Sequence, residues 1–405
     1  MFDMKNKRHL LEEGVFDAFA AMSRKGATAD RALQFIMRKY RYWSDAERAW
    51  VAHTFYDIVR YWRLLATVAG TGTNTDKSSL WHIFGVWLLR KGQPLPEEKE
   101  FARLNQKQVM QRLEKFKKVR ALQQSIPDWL DQRGEKELGE RWEPLLRALN
   151  ERPPLMLRVN TLLADVNKVL SRLAAENFQA APVEGSDTAI EMKGGNVFRS
   201  KAFEDGWFEV QDLSSQEVAP FLDVQPGLRV VDACAGAGGK SLHLAALMKN
   251  KGRLLALDTV PEKLEELKRR ARRAGAGVIE TRAIDSSKVT KRLQDSADRL
   301  LLDLPCSGTG VLRRNPDIRW RLSEEDLERL LGQQRDMLDR YSAIVKPGGK
   351  LVYAVCSVLP AEGEMQVSAF LQRTNGAWTL EEERRTGLLE HKGDGFYMAR
   401  LLRVS

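Results

Sequence analysis

Cysteine is scarce in this chain: three residues in 405, at positions 234, 306 and 356. An odd, low count excludes a disulfide framework as the basis of the fold. It points to a reducing compartment, so the cytoplasm is the expected location. No Cys or His group has the spacing of zinc ligands, and no metal is expected. Long apolar runs are missing as well. No stretch of about 18 apolar residues exists, which excludes a membrane-spanning helix. The opening MFDMKNKRHLLEEG carries acids and has no apolar signal core, so export is not expected. Internal repeats and low-complexity tracts are also lacking.

What is present is a 43% hydrophobic chain long enough for two or three domains with real cores. The net charge of +10 is unevenly placed. Residues 1–150 hold 27 Lys and Arg against 19 Asp and Glu; the rest hold 38 against 36. A basic first third suits a polyanionic partner, in practice nucleic acid. The other reading is a basic solvated surface with no partner.

Apolar residues at helical spacing run through HLLEEGVFDAFAAM, RALQFIMRKYRYW and ERAWVAHTFYDIVRYWRLLA. Ser44–Glu47 reads as a capping box opening the third of these helices. Helix resumes in SLWHIFGVWLLRKG. Tyr56, Tyr61, Trp62, Trp81 and Trp87 form an aromatic stripe whose spacing favours core packing over base stacking. KQVMQRLEKFKKVRALQ is a basic amphipathic helix, open as a phosphate-facing surface or a plain solvated face. Pro153-Pro154 in NERPP cannot continue a helix and marks a boundary. After it, PLMLRVNTLL, a helix at 166–177, TAIEMKG and WFEVQD predict a small α/β module. VQDLSSQEVAPFLD leads into a further helix. From about Arg229, strands RVVDA, RLLALD, VIETRAID, DRLLLD and KLVYAVC alternate with helical patterns. That alternation predicts a doubly wound parallel sheet. Pieces near Trp378 and at 395–403 are expected to close its edge antiparallel.

The first strand of that sheet runs into DACAGAGGKS, Asp232 to Ser241, a glycine-rich turn that lets a ligand approach backbone N–H groups. A P-loop needs glycine where Cys234 stands, and a dinucleotide fingerprint needs glycine where Ser241 stands, so both patterns fail. An S-adenosylmethionine loop remains, supported by Asp258 at the end of strand two, an acceptor for ribose hydroxyls. A tight βα turn with no ligand is the alternative. Asp285 ends strand three and could meet an adenine amino group, or could simply cap a helix.

The stretch DLPCSGTGVLRRNPD puts Asp303 and Cys306 on the exit of strand four, and Cys356 ends strand five. Any single cysteine is more readily explained as a small buried hydrophobe. Strands one, four and five, however, lie at the switch point of a doubly wound sheet, where ligands bind. Two thiols and an acid facing a methyl donor are hard to explain as packing. Cys234 is expected to serve the cofactor loop structurally.

DACAGAGGKS, DLPCSGTG and VCSVLPAEGE together resemble the Sun-type RNA (cytosine-5) methyltransferases, closest to the branch of bacterial 16S rRNA small-subunit methyltransferase B. VQDLSSQ, RRNPDIRW and DGFYMARL fit the same pattern over roughly residues 150–405. The N-terminal helices resemble that branch's NusB-like RNA-binding domain more weakly. The chain departs from the family at Gly236-Ala237, where Ala-Pro is usual, and at Val355, where Thr is usual. The resemblance implies a Rossmann-like, mostly parallel seven-stranded catalytic domain over 216–405. A small α/β linker module at 149–215 and an all-helical domain at 1–148 would precede it. It implies S-adenosylmethionine held by Cys234, Ala235, Gly236, Ala237, Gly238, Gly239, Lys240, Asp258, Lys263, Asp285 and Asp303. It further implies Cys356 as nucleophile, Cys306 as the residue of the release step, and Asp303 with Lys240 at the target base; the reverse, Cys306 as nucleophile, is how DNA cytosine-5 methyltransferases use their Pro-Cys and is the alternative. RNA, with small-subunit rRNA foremost, is the expected partner, and the protein is expected to be a monomer. An RNA-binding assembly factor without turnover, or an enzyme acting on tRNA or DNA, are the competing readings. Arg313, Arg314, Arg319 and Arg321 are expected to grip phosphates flanking the target, and the run Lys268–Arg273 to make peripheral RNA contacts.

Overall fold

The computed structural model describes residues 4–284, 287–390 and 392–405. By internal contacts the chain forms two compact units. One runs to Glu151 and also takes in Leu312–Ser323; the other comprises Arg152–Val311 and Glu324–Ser405.

The first unit is helical. Its principal helices are Met4–Lys25, Ala29–Lys39, Asp45–Arg60, Trp62–Ala69, Lys77–Arg90, Gln106–Phe116 and Asp128–Leu138. The capping box is present: the Ser44 hydroxyl accepts from the Glu47 N–H, and the Glu47 carboxylate accepts from the Ser44 N–H. The aromatic stripe is core, with Trp81 and Trp87 buried and Tyr56, Tyr61 and Trp62 partly buried against the same hydrophobic cluster. Leu312–Ser323 is threaded into this unit, which corrects the phosphate-gripping expectation for Arg313 and Arg319. Arg319 is 1% exposed. Its guanidinium donates to the carbonyls of Arg60, Gln124 and Ser125 and to Asn150 Oδ1. Arg313 is buried as well, and its carbonyl accepts from Arg60. Arg321 pairs with buried Asp317, and Trp320 donates to the Val59 carbonyl at 2.8 Å.

The second unit holds two sheets. Strands β1 (Leu155–Val159), β2 (Ala180–Pro182), β3 (Ala189–Met192) and β4 (Phe208–Val210) form an antiparallel sheet in the order β2-β3-β1-β4. The helix Val166–Ala175 buries Val169 and Leu173 in the core of this module. Strands β5 (Arg229–Asp232), β6 (Arg253–Asp258), β7 (Ile279–Ala283), β8 (Ala297–Asp303), β9 (Val345–Val355), β10 (Trp378–Thr386) and β11 (Phe396–Arg403) form the larger sheet. Its order is β10-β11-β9-β8-β5-β6-β7. Strands β5 to β9 pair in parallel, and β11 and β10 close one edge antiparallel, as expected. Leu300–Leu302 is fully buried because helices cover both faces, which is why this strand reads as a continuous apolar run. The strand order reverses on the two sides of β5, so the ends of β5, β8 and β9 form the switch-point crevice.

Candidate active site

The exits of β8 and β9 bring the two predicted thiols together. Cys306 Sγ and Cys356 Sγ lie 3.3 Å apart as free thiols. The backbone enforces this approach. The Gly310 N–H donates to the Cys356 carbonyl at 3.0 Å, and a Cβ on Gly310 would stand 1.8 Å from the Gly395 oxygen. Glycine is therefore required where the loop after Cys306 closes on the end of β9. The hydrogen bond with Cys356, then burial, then the charges of Cys356 and Glu362 push the Cys306 thiol well up.

Asp303, half-buried at the end of β8, accepts from Lys240 Nζ at 2.7 Å. Burial opposes the charge on Lys240, but the Asp303 carboxylate outweighs it and raises the lysine above its ordinary value. Lys240 therefore stays charged in a buried position facing Cys356. Four of the predicted side chains thus form one cluster at the crevice.

Beside the cluster is a cavity of about 550 Å³, lined by Ala233, Cys234, Asp258, Lys263 and Pro305. Its far wall is the helix Glu324–Ser342, through Gln333, Met337 and Tyr341, which sequence reasoning did not single out. Nothing in a solvated amphipathic helix announces which turn faces a ligand. Asp258 receives the Gly236 N–H at 2.9 Å and the Val260 N–H at 2.8 Å, so its carboxylate is fixed at the mouth with lone pairs to spare. Gly236 has φ +53° and open space where a side chain would start. The donor set suits S-adenosylmethionine: an acid for ribose hydroxyls, apolar walls for a flat ring, and a bare backbone turn. Ala235 to Gly239 form that turn without lining this cavity, and Cys234 lines it with a thiol raised by burial. Asp285 lies outside the described residues.

Arg158, missed by sequence reasoning, and Arg270, expected there only as part of a peripheral RNA-contacting run, brace the turn. Arg158, buried on β1, donates to the Gly239 carbonyl at 2.6 Å, and Arg270 donates to the Ala237 carbonyl at 2.7 Å. Buried Glu209 on β4 holds both Arg270 and Arg273. Within the run Lys268–Arg273 these two side chains are therefore turned to the protein, correcting that part of the RNA-contact expectation. Lys268 and Arg269 pair with Glu265 and Glu266.

A family model described as 16S rRNA methyltransferase RsmB/F matches residues 219–402. A second, described as an RsmF/B-like ferredoxin-like domain, matches residues 126–197. The chain is 35% identical over 284 residues to the ribosomal RNA small subunit methyltransferase B of Escherichia coli O6:K15:H31 (strain 536 / UPEC). That match spans 68% of this chain and 66% of the relative, just under two thirds of the relative's length. Among solved structures, the protein PH0851 superposes with a TM-score of 0.82 at 26% identity, covering 97% of this chain and 99% of its own. A methyltransferase homolog protein from Pyrococcus horikoshii gives 0.62 at 26% identity, covering 71% and 98%.

Proposed function

Because the chain belongs to the 16S rRNA methyltransferase RsmB/F family, we propose that it methylates C5 of a cytosine in RNA, with small-subunit rRNA as the substrate. The family is one of S-adenosylmethionine-dependent methyltransferases. The observation that carries the cytosine-5 reading is the pair of free thiols 3.3 Å apart beside the Lys240–Asp303 ion pair.

C5 of cytosine is too poor a nucleophile to accept a methyl group unaided. The Cys356 sulfur, adding to C6, makes C5 enamine-like, which is nucleophilic covalent catalysis. Bound S-adenosylmethionine supplies an electrophilic methyl on its sulfonium. Asp303, with Oδ2 engaged by Lys240, offers Oδ1 to the exocyclic amine N–H, and the Lys240 ammonium beside it offsets the negative charge that addition puts on the ring. The buried Lys240 charge keeps Asp303 oriented. Cys306, 3.3 Å from the departing sulfur, acts as the base that takes the C5 proton, or assists it; the C5–C6 double bond reforms and Cys356 leaves as thiolate. The target base reaches the crevice unstacked or from a single strand. In this reading residues 1–148 hold RNA, 149–215 brace the cofactor turn, and 216–405 carry the chemistry.

The test is incubation with rRNA and labelled S-adenosylmethionine, followed by mapping of the label. Cys356→Ala is expected to abolish transfer. Cys306→Ala is expected to accumulate a covalent protein–RNA adduct, because addition proceeds while release stalls. An adduct formed by Cys356→Ala instead would swap the two roles. Absence of label from every RNA offered to the wild type would sink the enzymatic reading.

A further inference from the structure

Glu362 belongs to the segment VLPAEGE that follows Cys356, and its side chain is fully buried. Oε1 accepts from the Ser307 N–H at 2.8 Å and from Gln334 Nε2 at 2.9 Å. Oε2 accepts from the Ser307 hydroxyl at 2.5 Å. Three donors converge on two oxygens, the acceptor-only pattern of an ionised carboxylate. Among the described residues no cation pairs with it. A buried charge satisfied only by neutral dipoles is costly to keep. Packing alone would be served as well by glutamine.

The same carboxylate heads a buried chain of hydroxyls. Ser307 Oγ meets Thr309 Oγ1 at 3.1 Å, and Thr309 Oγ1 meets Ser357 Oγ at 2.9 Å. The Val358 and Leu359 N–H groups donate to Thr309 and Ser357 in turn. Ser307 directly follows Cys306, and Ser357 directly follows Cys356. The residue next to each thiol is thus tied by its hydroxyl into one network headed by the Glu362 carboxylate.

We propose that Glu362 is a positioning residue that differentiates the two thiols: it docks the Cys306 loop against Cys356 and places a fixed negative charge behind Cys306. Its catalytic meaning, a Cys306 kept out of the nucleophile's role, rests on the cytosine-5 reading; the geometry and charge effect do not. The push on Cys306 agrees, since the Glu362 charge is among its causes after the Cys356 contact and burial. The other titratable groups around the pair are Lys240 and Asp303 on the crevice side. On the opposite side are Tyr353, which donates to the Glu362 carbonyl, and the Arg385–Glu364 pair, with Arg385 on the Ser357 carbonyl.

The experiment uses the full chain without RNA. Iodoacetamide modification of Cys306 and Cys356 is followed by peptide mass spectrometry from pH 6 to pH 9. In Glu362→Gln, Cys306 is expected to alkylate about tenfold faster at neutral pH, a shift of roughly one unit to lower pH. Cys356 should move less. Glu362→Asp keeps the charge but withdraws it by one methylene. It is expected to retain the wild-type pH profile at Cys306 while slowing diamide crosslinking of the two thiols several-fold. It also serves as the measurement if the Gln variant does not fold. An unchanged Cys306 profile in Glu362→Gln, or undiminished crosslinking in Glu362→Asp, overturns the proposal. In the RNA assay, Glu362→Gln should lower kcat with KM unchanged. Wild-type protein inactive on all RNA would defeat the cytosine-5 reading while the alkylation result stood.

Discussion

Asp232, the last residue of β5, is 1% exposed, and its Oδ2 accepts from the Ser241 hydroxyl at 2.6 Å. Burial pushes this acid up to about 6, with Ser241 pulling it partly back. A raised folded-state value means the native fold favours the neutral acid. The stabilisation is full below about pH 4 and is lost as pH rises through 6. A shift of about two units corresponds to about 3 kcal/mol at most. Asp232→Asn keeps an acceptor for Ser241 and removes the charge. The stability difference between mutant and wild type, from urea unfolding, is therefore expected to grow in the mutant's favour between pH 4.5 and pH 7. A difference that stays flat over that range would show that Asp232 is stabilised as the anion. At this scale the sequence was legible where chemistry is local. The thiols, Asp303, Lys240 and Asp258 could be picked out because each stands at a strand end or in a glycine turn. Glu362 could not, since neither of the two acids in VLPAEGE gives a sign of which donors will surround it after the loops close.

At the level of elements, the cofactor turn is held from outside its own βα unit. The helix Pro261–Arg273 carries Arg270 to the Ala237 carbonyl, but the side chain is aimed there by Glu209 on β4. Glu209→Gln removes the charge that two arginines share. Both arginines are about four-fifths buried, so the expected loss of stability is about 2 kcal/mol. With Arg270 released, S-adenosylmethionine affinity by calorimetry is expected to fall about tenfold, worth about 1.4 kcal/mol. Unchanged affinity would mean the turn supports itself. The strands were readable because period-two and continuous apolar runs report burial directly. The direction of KRRARR was not, because a basic helix looks alike whether its arginines meet solvent or a buried acid on a strand some 60 residues earlier.

The whole molecule sets a constraint that its parts do not. Leu312–Ser323 folds with the helical unit although it follows the Cys306 loop in sequence. Deleting the N-terminal helices would strip the partners from Arg319, Trp320 and Asp317 and leave buried polar groups unsatisfied. A truncation would therefore confound RNA binding with misfolding, and charge removal in the intact chain is the sound alternative. Lys115, Lys117 and Lys118 are all exposed, at the end of Gln106–Phe116 and just beyond it. Lys117 pairs with Glu114 at the surface, a contact of little stabilising value. Changing all three to Gln is thus expected to leave the thermal midpoint and cofactor affinity within error. If this stretch faces phosphates, single-stranded RNA affinity falls, and the slope of log K against log salt is reduced by about 2, each contact contributing about 0.7. An unreduced slope would leave the helix as a solvated face and move the electrostatic footprint elsewhere on this basic unit, for phosphate contacts cannot be lost without returning their counterions.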